Sequence, residues 1–386
     1  MKITSVETLK IPPSWVWVKI TTDEGIVGYG EPYLEIHPDT VIAEVNRVAP
    51  LIIGKDPCEI ENRWQDMYDS GMGYVGGPIK LSAISGIDMA LWDIKGKALG
   101  APVYSLLGGP VKKKIKVYRA VESGLPHSTD PGDPYGMDFS RPQTAEGYAM
   151  CAEKLVEWGY RAIKLHTHVD IMNQKQIEMI VKAFELMRKN LGDDIDLFID
   201  VHNPIPELAV KLAKLLEPYN LLFMEEPAPI ERIQDLARVT GSTSIPIACG
   251  ERWTGKWDHL RALEAGARIL QPDTAHAGGI TELKKISVLA EAYKAYIAPH
   301  NPLSIISFIS SCQLDAGIPN FLIQEHNNAN DCVIDGKLYI GAGYFKEPFE
   351  LKDGYIELSD APGLGFELSP EGMEKINAKP WTVKRG

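Results

Sequence analysis

DIDLFIDVH (194–202), LLFMEEP (221–227) and PIACGER (246–252) decide how this 386-residue chain is read. Each is a short β-rich run with a carboxylate near its C-terminal end, and the three are spaced by about one strand-helix unit. Five more runs of the same kind flank them: KIKVYRAV (114–121) and YRAIKLHTH (160–168) before, RILQPD (268–273), KAYIAPH (294–300) and FLIQE (321–325) after. Amphipathic stretches such as 205–216 and 280–295 lie between them. Strands alternating with helices predict parallel βαβ units. Eight such units predict an α/β fold of the (β/α)8, TIM-like barrel type. An open doubly wound sheet is the alternative, but no glycine-rich dinucleotide or phosphate loop follows any of these strands.

Upstream, residues 1 to about 113 have a different texture. Alternating runs at 2–11 and 16–22 are followed by Asp23-Glu24-Gly25 and a third run, which is a hairpin pattern. A helix is expected over 81–99, stopped by Gly100-Ala101-Pro102. This reads as a small α+β domain (1–113) ahead of a barrel domain (114–330).

Composition narrows the function classes. The chain is 45% hydrophobic and 24% charged, which excludes a disordered or low-complexity protein. The formal net charge of −12 argues against a nucleic-acid surface. No apolar run reaches the roughly 18 residues of a membrane span, and the first residues lack a signal-type apolar core, so a cytoplasmic location is expected. The five cysteines (Cys58, Cys151, Cys249, Cys312, Cys332) form no CxxC pair, so neither a disulfide framework nor a zinc ribbon is expected.

Polar residues collect at the C-terminal ends of the predicted strands, the face where barrels place catalysis. They are Lys164 and His166, Asp200 and His202, Glu225, Glu251, Asp273, His300 and Glu325. From Asp200 onward the intervals are 25, 26, 22, 27 and 25 residues, so each step reaches the next strand at one height. Asp200, Glu225 and Glu251 would repel one another in a shared pocket unless a divalent cation sat between them. An all-oxygen donor set favours Mg²⁺.

Asp273 and His300 follow on neighbouring strands. A carboxylate on one imidazole nitrogen raises the basicity of the other, and no activated Ser or Cys sits at a matching strand end. The dyad therefore suits proton abstraction. His202 lies two residues after Asp200 and is placed beside the metal, as a ligand or a general acid. Lys164 either holds a carboxylate oxygen or, with a lowered pKa, acts as a second base. Glu325, if protonated, could donate to an enolate oxygen. Glu226 and Arg252 are expected to be structural, and His168, His276 and His326 carry no assigned role. The set calls for abstraction of a proton α to a carboxylate, with the enediolate stabilised electrostatically.

GGPIKLSAISGIDMALWDIKGKALGAPV (76–103), MEEP (224–227), CGER (249–252), ILQPDTAHAGGITE (269–282), APHNPL (298–303), IQE (323–325) and APGLG (361–365) carry a resemblance over nearly the whole chain. The sequence resembles the mandelate racemase subgroup of the enolase superfamily and is most similar to its galactonate dehydratases. That resemblance implies Mg²⁺ on Asp200, Glu225 and Glu251, His300 as base with Asp273 as partner, and Glu325 beside the enediolate. Asp200-Val201-His202 matches the family's Asp-x-His, whose His protonates the leaving hydroxyl.

It further implies an N-terminal capping domain completed by residues 331–386, an acid-sugar substrate contacted by Lys164, His166, His202, His300 and Glu325, and a homo-oligomer. The implied product is a 2-keto-3-deoxy acid. Three places depart from the family pattern. His166 stands where the dehydratases have Asn, the 71–78 segment lacks an Arg, and 124–142 is a long polar loop, either a lid or a surface insertion. The competing activity is a racemase or epimerase of a 2-hydroxy acid using Lys164 and His300 on opposite faces. A degenerate, non-catalytic barrel is the remaining alternative.

Overall fold

The apolar β-rich runs pair side by side, all in one direction. In the computed structural model, which describes residues 1–12, 14–121, 125–126, 137–138, 144–170, 173–326 and 331–378, the eight barrel strands run as follows. Strands one to four are Lys114–Val121, Ala162–His166, Asp196–Asp200 and Met224–Glu225. Strands five to eight are Ile247–Cys249, Ile269–Leu270, Tyr296–Ile297 and Gln324–Glu325. Each pairs in parallel with the next from one to seven, and strand eight pairs with strand one. A parallel bridge between Ile297 and Phe321 joins strands seven and eight and closes the ring.

One interior layer takes a side chain from every strand or its edge: Tyr118, Ala162, Phe198, Phe223, Ala248, Ile269, Ala298 and Ile323. Large and small residues fill the taper as in a packed barrel core. Strand periodicity then places the residue two further along on the same inward face. For Ala162, Phe198, Phe223, Ala298 and Ile323 those residues are Lys164, Asp200, Glu225, His300 and Glu325.

Glu251 stands three residues after Ala248 and needs an extra step. Gly250 supplies it, with φ +140° and no room for a side chain, since a Cβ there would lie 3.0 Å from the Gln271 backbone nitrogen and the His259 ring.

Helices follow the first seven strands: Ala145–Glu157, Gln174–Leu191, Pro206–Leu216, Ile233–Thr240, Gly255–Glu264, Gly279–Ala292 and Ile305–Ala316. Strand eight differs from a regular eight-unit barrel. Among the described residues it leads instead to an antiparallel set, Cys332–Ile334, Lys337–Ile340 and Phe349–Glu350. Tyr355–Glu357 then pairs antiparallel with the start of strand one. Most of the 124–142 loop lies outside the described residues.

At the N-terminus, Ile3–Ile11, Trp15–Thr22 and Val27–Gly30 form an antiparallel meander. Helix Pro78–Leu99 lies directly on it, and a Cβ on Gly30 would meet the Gly86 carbonyl oxygen at 1.9 Å. The last helix among the described residues, Pro370–Ala378, packs on Ile3–Ile11.

Polar contacts dock this layer on the barrel. Trp64 Nε1 donates to the Gly278 carbonyl (2.9 Å), and Asp88 accepts from the Thr281 N–H (3.0 Å). Buried Glu31 accepts from Ser304 N–H and Oγ–H and from Ser307 N–H, covering the exposed donors at the start of helix Ile305–Ala316. No helix among the described residues is long and apolar enough to cross a membrane.

Candidate active site

Strands two, three, four and eight send one buried lysine into a group of carboxylates. Lys164 Nζ donates to Glu225 Oε1 at 2.8 Å and to Glu325 Oε1 at 2.7 Å. Burial opposes its charge, but Glu225 and Glu325 more than offset this and hold it protonated far above the ordinary range. Lys164 thus bridges two acids from different strands as a buried positive charge.

Asp200, Glu225 and Glu251 each present an oxygen, all within 4.8 Å of one another. One lysine cannot neutralise them and Glu325 together. Burial and the surrounding acids push Glu225 up to about 8 against the pull of Lys164, and burial takes Glu251 to about 7. Asp200 moves the other way. Burial raises it, but the His202 hydrogen bond and Lys164 hold it well below the carboxylate range. Glu225 Oε2 is buried with no hydrogen-bond partner among the described residues. An orphaned carboxylate oxygen within an over-acidic, all-oxygen cluster fits a hard divalent cation.

Two imidazoles flank this cluster at different acids. His300 Nδ1 lies 2.8 Å from Asp273 Oδ2, and its Nε2 lies 3.7 Å from Glu251 Oε2. Burial disfavours charge on His300, but Glu251 and the Asp273 hydrogen bond raise its pKa well above the usual value. At the other end, His202 Nδ1 lies 3.1 and 3.2 Å from the two Asp200 oxygens.

The route to that position differs from simple strand alternation. Strand three ends at Asp200, and His202 takes a left-handed φ of 49°, with its N–H donating to Asp200 Oδ1 at 3.1 Å. This local turn folds the imidazole back over the acid. His166 Nε2 reaches His202 Nδ1 at 3.1 Å, so the two imidazoles from strand two and the turn after strand three are in direct contact.

Glu325 accepts from Lys164 and from the Asn301 N–H at 2.9 Å. Burial raises its pKa, but Lys164 and His300 bring it below the ordinary value, so in this arrangement it is ionised. Glu226 is buried, accepts from Gly250 N–H (2.9 Å) and pairs with Arg252, which also bonds Asn203. His326 bonds Asp331 at 2.6 Å.

Sequence reasoning missed Glu35 and the use of His276. Glu35 lies between strand Val27–Gly30 and helix Pro38–Val48, and its Oε2 is 3.2 Å from buried His276 Nε2. His276 Nδ1 is 3.8 Å from Asp273 Oδ2, so this N-terminal acid reaches the dyad through one ring. The pairing crosses two parts of the chain, and no local signal marks it.

Residues 147–372 match the family described as enolase C-terminal domain-like, and residues 2–108 match the mandelate racemase/muconate lactonizing enzyme N-terminal domain. Two curated relatives are named D-galactonate dehydratase. The Pectobacterium atrosepticum protein is 40% identical, with 99% of this chain and 96% of that protein covered. The Cronobacter sakazakii protein is 39% identical, with 96% and 93% covered. A solved structure titled mandelate racemase/muconate lactonizing enzyme, from Labrenzia alexandrii, superposes with a TM-score of 0.86 at 33% identity, covering 99% of this chain and 96% of its own. The chain belongs to the enolase superfamily, in its mandelate racemase/muconate lactonizing enzyme group.

Proposed function

We propose that this enzyme is a metal-dependent acid-sugar dehydratase, a hydro-lyase that converts an aldonate to a 2-keto-3-deoxy acid, with a D-galactonate-like substrate favoured. The observation that carries the proposal is the pair of imidazoles on different acids of one carboxylate cluster, His202 on Asp200 and His300 by Glu251. Elimination needs a base at C2 and an acid at the C3 hydroxyl, and two separate imidazoles supply both. The curated relatives' names support the same substrate class.

Asp200, Glu225 and Glu251 would hold Mg²⁺, which supplies positive charge against the substrate carboxylate when bound. His300 Nε2 removes the C2 proton, while Asp273 on Nδ1 fixes the ring and stabilises the imidazolium. Lys164 turns its charge toward the substrate carboxylate as negative charge develops there. That turn removes the cation from Glu325, which takes a proton from solvent as substrate enters and then donates a hydrogen bond to the enediolate oxygen. His202 has Nδ1 toward Asp200 and His166, and its Nε2 donates to the C3 hydroxyl, which leaves as water. The resulting enol tautomerises, so the net change is loss of one water from the aldonate.

The test is a panel of five- and six-carbon aldonic and aldaric acids with and without Mg²⁺, with 2-keto acid read by semicarbazone absorbance. Metal-dependent product from an aldonate supports the reading. C2 proton exchange without any keto acid across the panel contradicts it.

A further inference from the structure

A second cluster of metal-binding donors stands beside the carboxylates and differs from them in chemistry. His166, His168 and His202 each offer a ring nitrogen, and the three nitrogens lie within 4.8 Å of one another. The closest pair, His166 Nε2 and His202 Nδ1, is 3.1 Å apart. Two nitrogens bound tetrahedrally at about 2.05 Å sit about 3.3 Å apart, so this pair already has the spacing of neighbouring ligands. Ring centroids are 4.7 Å apart for His166–His202 and for His168–His202, and 5.6 Å for His166–His168, so the three rings pack together.

One nitrogen of the His166–His202 contact carries a proton, and an ion binding to both would displace it, so binding at this site releases a proton. His168 is exposed and His202 part-buried, which leaves a path for an ion and room for a water as fourth ligand. Strand two supplies His166, the segment just after it supplies His168, and the turn after strand three supplies His202. The backbone pairing of strands two and three fixes their relation.

We propose that His166, His168 and His202 form a second cation site, selective for a borderline ion such as Zn²⁺ or Co²⁺. Three imidazoles with no thiolate suit these ions, whereas the neighbouring three carboxylates suit Mg²⁺. Occupation draws the His202 ring onto the ion and withholds its proton from the substrate. That inhibitory consequence rests on the dehydratase reading above, but binding itself does not.

The experiment is a Co²⁺ titration of the full-length protein already saturated with Mg²⁺, read by visible ligand-field absorption. Four-coordinate cobalt on imidazoles absorbs strongly, whereas octahedral cobalt on carboxylates absorbs weakly, so the spectrum reports which site is filled. The expected result is one equivalent of strongly absorbing Co²⁺, with affinity reduced more than about a hundredfold in His168→Ala. His168 is exposed and outside the catalytic set, so this variant keeps the fold and the basal turnover. Zn²⁺ should then inhibit the parent enzyme and not His168→Ala. A weak octahedral spectrum only, or equal strong absorption in His168→Ala, overturns the site. A strong cobalt band in a protein that turns over no aldonate keeps the site and overturns the dehydratase reading instead.

Discussion

His300 Nδ1 lies 2.8 Å from Asp273 Oδ2, and this bond decides which nitrogen is left for chemistry. Asp273 is fully buried and its other oxygen accepts the Ala275 N–H at 2.6 Å, so neither partner can turn away. His300→Asn should reduce both C2 proton exchange and dehydration by about 10²–10⁴-fold. Asp273→Asn should cost up to about 10⁴-fold by releasing the tautomer. Mg²⁺ affinity by calorimetry should change little in either. Exchange in D₂O that persists in His300→Asn excludes it as the base.

Lys164 bridges two buried acids from different strands, Glu225 and Glu325. Lys164→Met leaves both without their cation and should destabilise the metal-free fold by about 3–5 kcal/mol in urea unfolding. Saturating Mg²⁺ should restore part of this, because a cation then partners Glu225. A variant as stable as its parent without Mg²⁺ argues against the bridging role.

The raised carboxyls give a pH signature. Glu225 at about 8 and Glu251 at about 7 stand above the ordinary 4.5, so the folded chain keeps protons that the unfolded chain releases. Their contribution to metal-free stability is complete below 4.5 and is lost as pH rises to about 8. A divalent cation must displace these protons, so its affinity should rise over the same window. Melting curves across pH, with and without Mg²⁺, should diverge increasingly toward the alkaline side. A gap independent of pH contradicts the assignment of the ligands.

Glu35 sits 3.2 Å from His276, whose pKa is about 9 because Asp273 and Glu35 outweigh its burial. Removing one of those negative charges lowers the value, so in Glu35→Gln the His276 ring should lose its proton at lower pH. Ring-proton NMR titration measures this directly. An unshifted His276 shows that Glu35 does not govern its charge.

Much of this site was legible in the sequence, because strand period and barrel repeat are both regular. Lys164, Asp200, Glu225, His300 and Glu325 each lie two residues beyond a core-filling side chain, and counting alone finds them. Glu251 also kept the interval, but the reason it faces inward is the backbone of Gly250, which counting cannot see. Alternation puts His202 on the face of Asp200, but in the structure a left-handed turn after the strand brings the ring there. Beyond strand eight, the antiparallel set among the described residues carries no repeat period that counting could follow. Glu35 was invisible, since its partner His276 is supplied by the barrel and only the docking of the two layers brings them together.

His202 separates the proposed activity from simple proton transfer, so its replacement tests the account most directly. His202→Asn should be incubated with Mg²⁺ and the best aldonate substrate in D₂O, following C2 deuterium by NMR and keto acid by semicarbazone. The account predicts continued exchange at C2 with dehydration reduced by about 10²-fold or more. Dehydration at the parent rate would contradict the assignment of His202 as the acid that expels water.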